Sequence, residues 1–143
     1  MGGLIVAFVA VPLVDLVVKR LLRLLRTPRS IRLAPFASLQ IVFARIWLTR
    51  LRGNLNTATL WTIWALAAVA LVTASAWLPA SRWFVGLALG GSFTNALDSA
   101  RHGSVIDYIR VGSWPVFNVA DLALTSGVAG LAVEFLLAVS RMA

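Results

Sequence analysis

Four long apolar segments, separated by polar connections, occupy most of this 143-residue sequence. They cover about residues 3–18, 58–78, 83–97 and 119–139, and a helix of roughly 20 apolar residues is long enough to cross a bilayer. With 60% apolar and only 13% charged residues, the chain carries more apolar surface than a soluble domain hides, and far more than a disordered chain. The sequence therefore predicts one integral membrane domain over residues 1–143, an all-α fold with four transmembrane helices.

Cysteine is absent from the sequence, and histidine occurs once, at His102. These counts exclude a disulfide, a thiolate metal site and a cysteine nucleophile, and one histidine is too few for a histidine-rich metal site. We therefore predict no metal and no cofactor. In a membrane protein the net charge of +8 is better explained by topology and anionic lipid headgroups than by a nucleic acid partner.

The connection between the first two apolar segments is strongly basic, with nine of the 13 basic residues between positions 19 and 52. Its start, KRLLRLLRTPR, has arginines at helical spacing, which predicts an amphipathic interfacial continuation of the first helix that ends at Pro28. Residues 39–48 are rich in β-branched and aromatic residues, which predicts surface strands. A second strand is predicted at residues 104–111, inside a loop over 98–117 with a turn at 112–115.

Acidic residues are rare, and each is a candidate because a charge inside a bilayer costs a few kcal/mol. The five are Asp15, Asp98, Asp107, Asp121 and Glu134. We expect Asp107 and Asp121 to lie at the same membrane face, because a single loop joins them. Two carboxyl groups brought together in a low-dielectric site share one proton, so one can deprotonate a water while the other protonates a leaving amine. Such a pair needs neither metal nor cysteine.

Two asparagines stand three residues before two of these acids: Asn95 before Asp98, and Asn118 before Asp121. On a helix such pairs face the same way, so each amide is placed to orient a carboxylate or a substrate carbonyl. The alternative is purely structural: Asp121 only begins a helix and Asn118 is its N-cap.

The other charged residues also have structural interpretations. Asp107 is alternatively a loop acid paired with Arg101 or Arg110, and Asp98 alternatively closes the third helix and binds Arg101. The spacing of Asp15 and Lys19 by four residues predicts a local ion pair that contributes only tenths of a kcal/mol when exposed. We assign no role to Glu134 and interpret His102 as a loop residue.

Four short motifs occur in an order that resembles a known family. They are D-L-V-V-K from Asp15, G-S-F-T-N-A-L-D ending at Asp98, G-S-V-I-D-Y around Asp107, and F-N-V-A-D ending at Asp121. In this order and at this spacing they resemble the lipoprotein signal peptidase family, the bacterial signal peptidase II. The chain departs from that pattern where the family has D-R, because Ser99 follows Asp98.

This resemblance implies a four-helix intramembrane aspartyl protease of the bacterial cytoplasmic membrane, with a small extracytoplasmic β-cradle. By motif, Asp107 and Asp121 are the catalytic pair. The supporting or substrate-binding residues that it implies are Asn95, Asp98, Asn118, Asp15, Asn56 and Arg101. The implied partners are a lipid-modified prolipoprotein, membrane lipids and peptide inhibitors of the globomycin type.

Two questions stay open at this stage. The positive-inside rule places the basic connection in the cytoplasm, whereas the family topology places it outside. We adopt the family topology, since the order of the motifs constrains the fold, whereas the distribution of basic residues is a statistical tendency. The departure at Ser99 keeps an alternative function open, a catalytically impaired relative that binds lipidated peptides or a membrane partner without cleavage.

Overall fold

Four long helices and a small sheet make up the computed structural model, which describes residues 1–24, 30–44 and 57–141. The elements are α1 (Gly2–Leu24), β1 (Ile31–Ala34), β2 (Ala37–Ala44), α2 (Thr57–Ala74), a 3₁₀ helix (Pro79–Ser81), α3 (Arg82–His102), β3 (Val105–Val111) and α4 (Val119–Ser140). Each predicted apolar segment corresponds to one of the long helices. The prediction of four helices is therefore confirmed.

The helix boundaries differ from the prediction in two places. The third helix runs on to His102, so the expected loop at 98–102 is wrong; the helix ends where Gly103 adopts a left-handed conformation (φ 69°) and its N–H bonds to Ser99 O at 3.0 Å. α2 ends at Ala74, before residue 78, and a turn and the 3₁₀ helix follow. The first helix does continue into the arginine-rich part, as far as Leu24; Pro28 lies outside the described residues.

α3 is the central helix and packs against both α1 and α4. Glycines permit this close approach: a Cβ on Gly86 would lie 2.5 Å from Leu4 O on α1, and one on Gly127 of α4 would lie 2.5 Å from Ala88 N. The predicted tight packing of the glycine-rich segment is confirmed.

Further along α3, a Cβ on Gly90 would lie 3.1 Å from Phe8 O and one on Gly91 would meet Ala120 O. Together with the first two contacts, these show that α1 runs parallel to α3 and that α4 runs antiparallel to it. The beginning of α1 and the end of α4 therefore lie at the same end of the bundle.

The sheet lies at the opposite end, where α1 and α3 end and α4 begins. Its three strands are antiparallel in the order β1-β2-β3, with Val42 of β2 opposite Asp107 of β3. The strand predicted at 104–111 is confirmed as β3. The strand predicted at 39–48 is confirmed up to Ala44, and residues 45–48 lie outside the described part.

The outward faces of the helices are apolar. Large exposed side chains line α1, α2 and α4, for example Val6, Leu66 and Phe135, which are 56%, 66% and 62% exposed. A soluble monomer rarely exposes so much apolar surface, so these faces are typical of contact with lipid. By length and composition, the described helix that qualifies as a membrane span is Val119–Ser140, and Ala58–Ala74 is apolar but shorter. That all four helices span a membrane stays a prediction.

Candidate active site

The first turn of α4 carries one of the two predicted acids within a capping box. Asn118 is the N-cap, and its Oδ1 accepts a hydrogen bond from Asp121 N at 2.7 Å. In return, Asp121 Oδ2 accepts from Asn118 N at 3.1 Å. The structural interpretation of these residues is thus correct. It does not exclude a catalytic one, because the capping box engages only Oδ2 of the Asp121 carboxylate.

The second acid comes from β3 and meets the first at Asn118. Asn118 is fully buried, and its Nδ2 donates to Asp107 Oδ1 at 2.9 Å. The same side chain thus caps Asp121 and holds Asp107. The alternative in which Asp107 pairs with Arg101 or Arg110 is wrong, since Asp107 points inward towards Asn118 and both arginines are exposed.

Asn95 of α3 contacts both Asp121 and Asn118. Its Nδ2 donates to Asp121 Oδ1 at 2.7 Å, and its Oδ1 accepts from Asn118 Nδ2 at 3.1 Å. Two asparagine amides therefore fix the two carboxyl groups from three separate elements, namely α3, β3 and the start of α4. Preorganised groups of this kind need no reorganisation when a substrate arrives.

The protonation of Asp107 is strongly perturbed. Burial and, to a smaller extent, repulsion from the Asp121 carboxylate together raise its pKa from 3.8 to about 6, while the hydrogen bond from Asn118 and the charge of Lys19 act in the opposite direction. Loss of hydration and a neighbouring like charge are the two causes that make an acid hold its proton. Asp107 therefore takes up and releases a proton near pH 6, close to neutral pH.

A buried ionic cluster lies directly behind this pair. Lys19 of α1 forms ion pairs with Asp15 and, at 2.6 Å, with Asp98 of α3, and all three residues are 3% exposed or less. Asp98 Oδ2 also accepts from Ile106 N at 3.2 Å, which fixes the strand residue next to Asp107. The predicted ion pair of Asp15 and Lys19 is thus confirmed, and it is buried. The alternative in which Asp98 binds Arg101 is wrong, because the cation that it contacts is Lys19.

Tyr108 connects the cluster to α4. Its hydroxyl donates to Asp15 Oδ1 at 2.9 Å and accepts from Val119 N at 3.2 Å. Burial and the charge of Asp15 raise the pKa of Tyr108 above its ordinary value, so the hydroxyl keeps its proton. This residue satisfies a free N–H in the first turn of α4 and thereby ties α1 to the helix that carries Asp121.

An apolar cavity of about 550 Å³ opens beside the two acids. Asp107 and Asp121 form its polar end, while Trp61 and Trp64 of α2 form a wall. Trp64 Nε1 donates to Ser92 Oγ at 3.0 Å, which holds the indole in place. A largely apolar cavity with a few convergent polar groups is typical of a binding site for an apolar substrate.

The remaining candidates fall outside this arrangement. Arg101 is exposed on the last turn of α3 and, within the described residues, makes no ion pair with the site acids, so the structure does not support its predicted role. Asn56 lies outside the described residues. His102 belongs to α3 rather than to a loop, with Nδ1 4.0 Å from Asp98 Oδ1. Glu134 lies near the far end of α4, away from the site.

Sequence reasoning assigned no site role to Lys19, Tyr108 or the two tryptophans. One signal for Lys19 was available: Asp15 and Asp98 are two acids in or beside apolar segments, and buried acids require a cation. For Tyr108 the sequence carried no comparable signal, since its partner Asp15 is 93 positions away.

The comparisons with known proteins agree with this geometry. Residues 7–137 match the family described as Signal peptidase (SPase) II. The chain is 37% identical to a lipoprotein signal peptidase of Methylorubrum extorquens (strain PA1), covering 73% of this chain and 67% of that protein. It is 38% identical to one of Methylobacterium sp. (strain 4-46), covering 71% and 67%.

A solved structure described as a bacterial membrane enzyme determined by the in meso method at 1.9 Å has the same fold. Its TM-score is 0.75 at 24% identity, over 95% of this chain and 94% of that one. The fold is thus a four-helix bundle like that of this membrane enzyme. The chain belongs to the signal peptidase II family, whose members are proteases of the bacterial cytoplasmic membrane that process lipoproteins.

Proposed function

We propose that this chain is an intramembrane aspartic endopeptidase that cleaves the signal peptide from a lipid-modified prolipoprotein. The observation that carries the proposal is the meeting of Asp107 and Asp121 on Asn118 at the polar end of an apolar cavity. Membership of the family supports the substrate class. The proposed catalytic pair is Asp107 and Asp121, with Asn95, Asn118, Asp98 and Asp15 as positioning residues.

The two acids have different roles in the proposed reaction. Asp121, which two N–H donors hold in place, takes a proton from a water while the water oxygen attacks the scissile carbonyl carbon. Asp107, the acid with the raised pKa, gives its proton to the carbonyl oxygen. The tetrahedral intermediate then collapses: the carbon–nitrogen bond breaks as Asp121 gives the proton that it took from the water to the leaving amine. Asp107 takes back a proton from one hydroxyl group of the intermediate, which forms the new carboxyl group and restores both acids.

The cavity supplies the substrate specificity in this proposal. Its apolar wall on α2 accommodates the apolar side chains next to the cleaved bond or the lipid chain of the modified residue. The same apolar surface binds peptide inhibitors of the globomycin type.

We further propose that all four helices cross the cytoplasmic membrane, with both termini in the cytoplasm and the acid pair at the extracytoplasmic face. The exposed apolar faces of α1, α2 and α4 support the crossing, and the orientation follows the topology of the family. A topology reporter fused to the carboxy terminus tests it, since the proposal expects a cytoplasmic signal. A periplasmic signal would contradict it.

The cleavage assay uses purified chain in lipid vesicles with a diacylglyceryl-modified precursor, and product is measured by mass spectrometry. Asp107→Asn and Asp121→Asn should each lower the rate by at least about 10²-fold, the contribution of a positioned acid or base. Glu134→Gln is the matched control, because it removes an acid from α4 far from the site. Equal rates in the wild type and either aspartate variant would refute the assignment.

One observation favours a second candidate, a relative that binds lipidated peptides without cleavage. Ser99 lines the cavity at the position after Asp98, where the family pattern has an arginine, and the exposed Arg101 does not replace it. In the same assay this candidate predicts that the wild-type chain binds the lipopeptide and yields no product.

A further inference from the structure

The sheet carries two arginines in one row with a serine between them. Arg32 of β1 is paired with Ser38 of β2, and Ser38 is paired with Arg110 of β3. Directly paired residues of neighbouring antiparallel strands project on the same face of a sheet. With strands about 4.8 Å apart, the two arginines stand about 10 Å from each other. One small ligand between them is within reach of both guanidinium groups.

A pocket of about 280 Å³ occupies this face. Its lining includes Arg32 and Arg110 together with the polar side chains of Ser30, Ser38 and Gln40. A guanidinium offers five N–H donors in a planar fork that matches the oxygens of a phosphate, and serine hydroxyls add further donors. The pocket therefore has the hydrogen-bonding chemistry of a phosphate site.

Among the described residues, no acidic side chain forms an ion pair with either of these two arginines. All five acidic side chains of the chain belong to its described part, and their ion pairs there involve Lys19 and His102 alone. Within the residues that the structure describes, neither Arg32 nor Arg110 has a carboxylate within 4.0 Å. Two like charges held side by side repel each other, so an anion between them is stabilising.

The surroundings indicate that this anion belongs to a lipid. Phe36 lines the pocket and is 68% exposed, and Trp114, just beyond β3, is 72% exposed. Aromatic side chains are favoured at the level of the lipid headgroups, and basic side chains there attract anionic lipids. We propose that Arg32, Ser38 and Arg110 bind the phosphate of an anionic phospholipid headgroup at the membrane face that contains the acid pair.

This site is separate from the acid pair. Arg110 and Asp107 are three positions apart on β3, so they project from opposite faces of the strand. The site also gives a reason for one basic residue of the connection, Arg32, at the end of the bundle that carries the acid pair. The inference holds whether or not the acids cleave a peptide.

The test measures lipid binding to the purified full-length chain in a neutral detergent by native mass spectrometry. The ligands are dihexanoyl phosphatidylglycerol, the phosphatidylcholine with the same tails, and inorganic phosphate. The variants are Arg32→Gln, Arg110→Gln and the double variant. Arg20→Gln is the matched control, because it removes an exposed charge from α1 near the same end of the bundle. Circular dichroism checks that every variant keeps its helices.

We expect the wild-type chain to bind phosphatidylglycerol more tightly than phosphatidylcholine, and the double variant to lose about 30-fold in affinity for it. Arg20→Gln should stay close to the wild type. An equal loss in Arg20→Gln would overturn the proposal, because it would indicate attraction by net charge instead of a pocket. Binding of inorganic phosphate as tight as that of the lipid would also overturn it, in favour of a soluble anion.

Discussion

Replacing Asp107 with asparagine is expected to stabilise the fold at neutral pH, although it removes a proposed catalytic group. The pKa of this acid rises from 3.8 to about 6 in the folded chain, so the folded state binds the proton more tightly than the unfolded state does. The resulting stabilisation is fully present below pH 3.8 and is lost as the pH rises through about 6. At pH 7 the ionised acid therefore lowers the free energy of unfolding by about 3 kcal/mol.

The variant removes this cost and keeps the local contacts. An asparagine at position 107 retains an Oδ1 that accepts from Asn118 Nδ2, as Asp107 Oδ1 does at 2.9 Å. Its new amide group faces the cavity that Asp107 already lines. Asp107→Asn should therefore unfold at a higher temperature than the wild type at pH 7.

Asp121→Asn is the matched comparison and should have the opposite effect on stability. Both oxygens of Asp121 accept hydrogen bonds, one from Asn95 Nδ2 at 2.7 Å and the other from Asn118 N at 3.1 Å. An amide has only one acceptor oxygen, so one donor loses its partner, which costs about 1–2 kcal/mol. Both variants should nevertheless lose cleavage.

Thermal unfolding of the purified chain in detergent, followed by tryptophan fluorescence at about pH 7.5 and about pH 4.5, measures these effects. We expect Asp107→Asn to exceed the wild type at the higher pH, with a smaller difference at the lower pH. If Asp107→Asn is less stable than the wild type at the higher pH, or if its advantage does not depend on pH, the reasoning from burial and repulsion is wrong.

Four further outcomes are expected. In a pH series, kcat/KM should fall above pH of about 6 as Asp107 loses its proton, and a flat profile to pH 8 would contradict its role as acid. Tyr108→Phe should cost about 1–3 kcal/mol in chemical unfolding by leaving Val119 N without its acceptor, and wild-type stability would refute this. Lys19→Met leaves two buried acids unpaired and should cost about 3–5 kcal/mol, measured in the same way. Gly86→Leu should prevent the close packing of α1 against α3, so an intact thermal transition would argue against this packing.

The four helices and the first turn of α4, with Asn118 and Asp121, could be predicted from the sequence because their signals are local. Apolar segments of the right length mark helices, and the spacing of Asn118 and Asp121 marks the first turn of one. The extension of α3 to His102 was missed because Asp98 and the polar residues after it were interpreted as the start of a loop. A glycine at position 103 is the signal that would have placed the helix end correctly.

The ionic cluster could not be predicted because its contacts are distant in sequence. Lys19 and Asp98 are 79 positions apart, and neither hydropathy nor spacing indicates which acid meets which cation. The spacing of Asp15 and Lys19 predicted their pairing correctly, but not its burial, since burial depends on how α1 packs against α3 and β3. The phosphate pocket likewise depends on strand register, which aligns Arg32, Ser38 and Arg110 across three strands.

Counting the protons on Asp107 and Asp121 tests most directly whether these two acids form a pair in which one carboxyl group is protonated. Infrared spectroscopy of the chain labelled with carbon-13 aspartate detects a protonated carboxyl group by its carbonyl stretch, which can be followed from about pH 4 to about pH 8. We predict one protonated aspartate at about pH 5 that titrates near pH 6, is absent from Asp107→Asn and persists in Glu134→Gln. A spectrum with every aspartate ionised at about pH 5, or an unchanged band in Asp107→Asn, would contradict it.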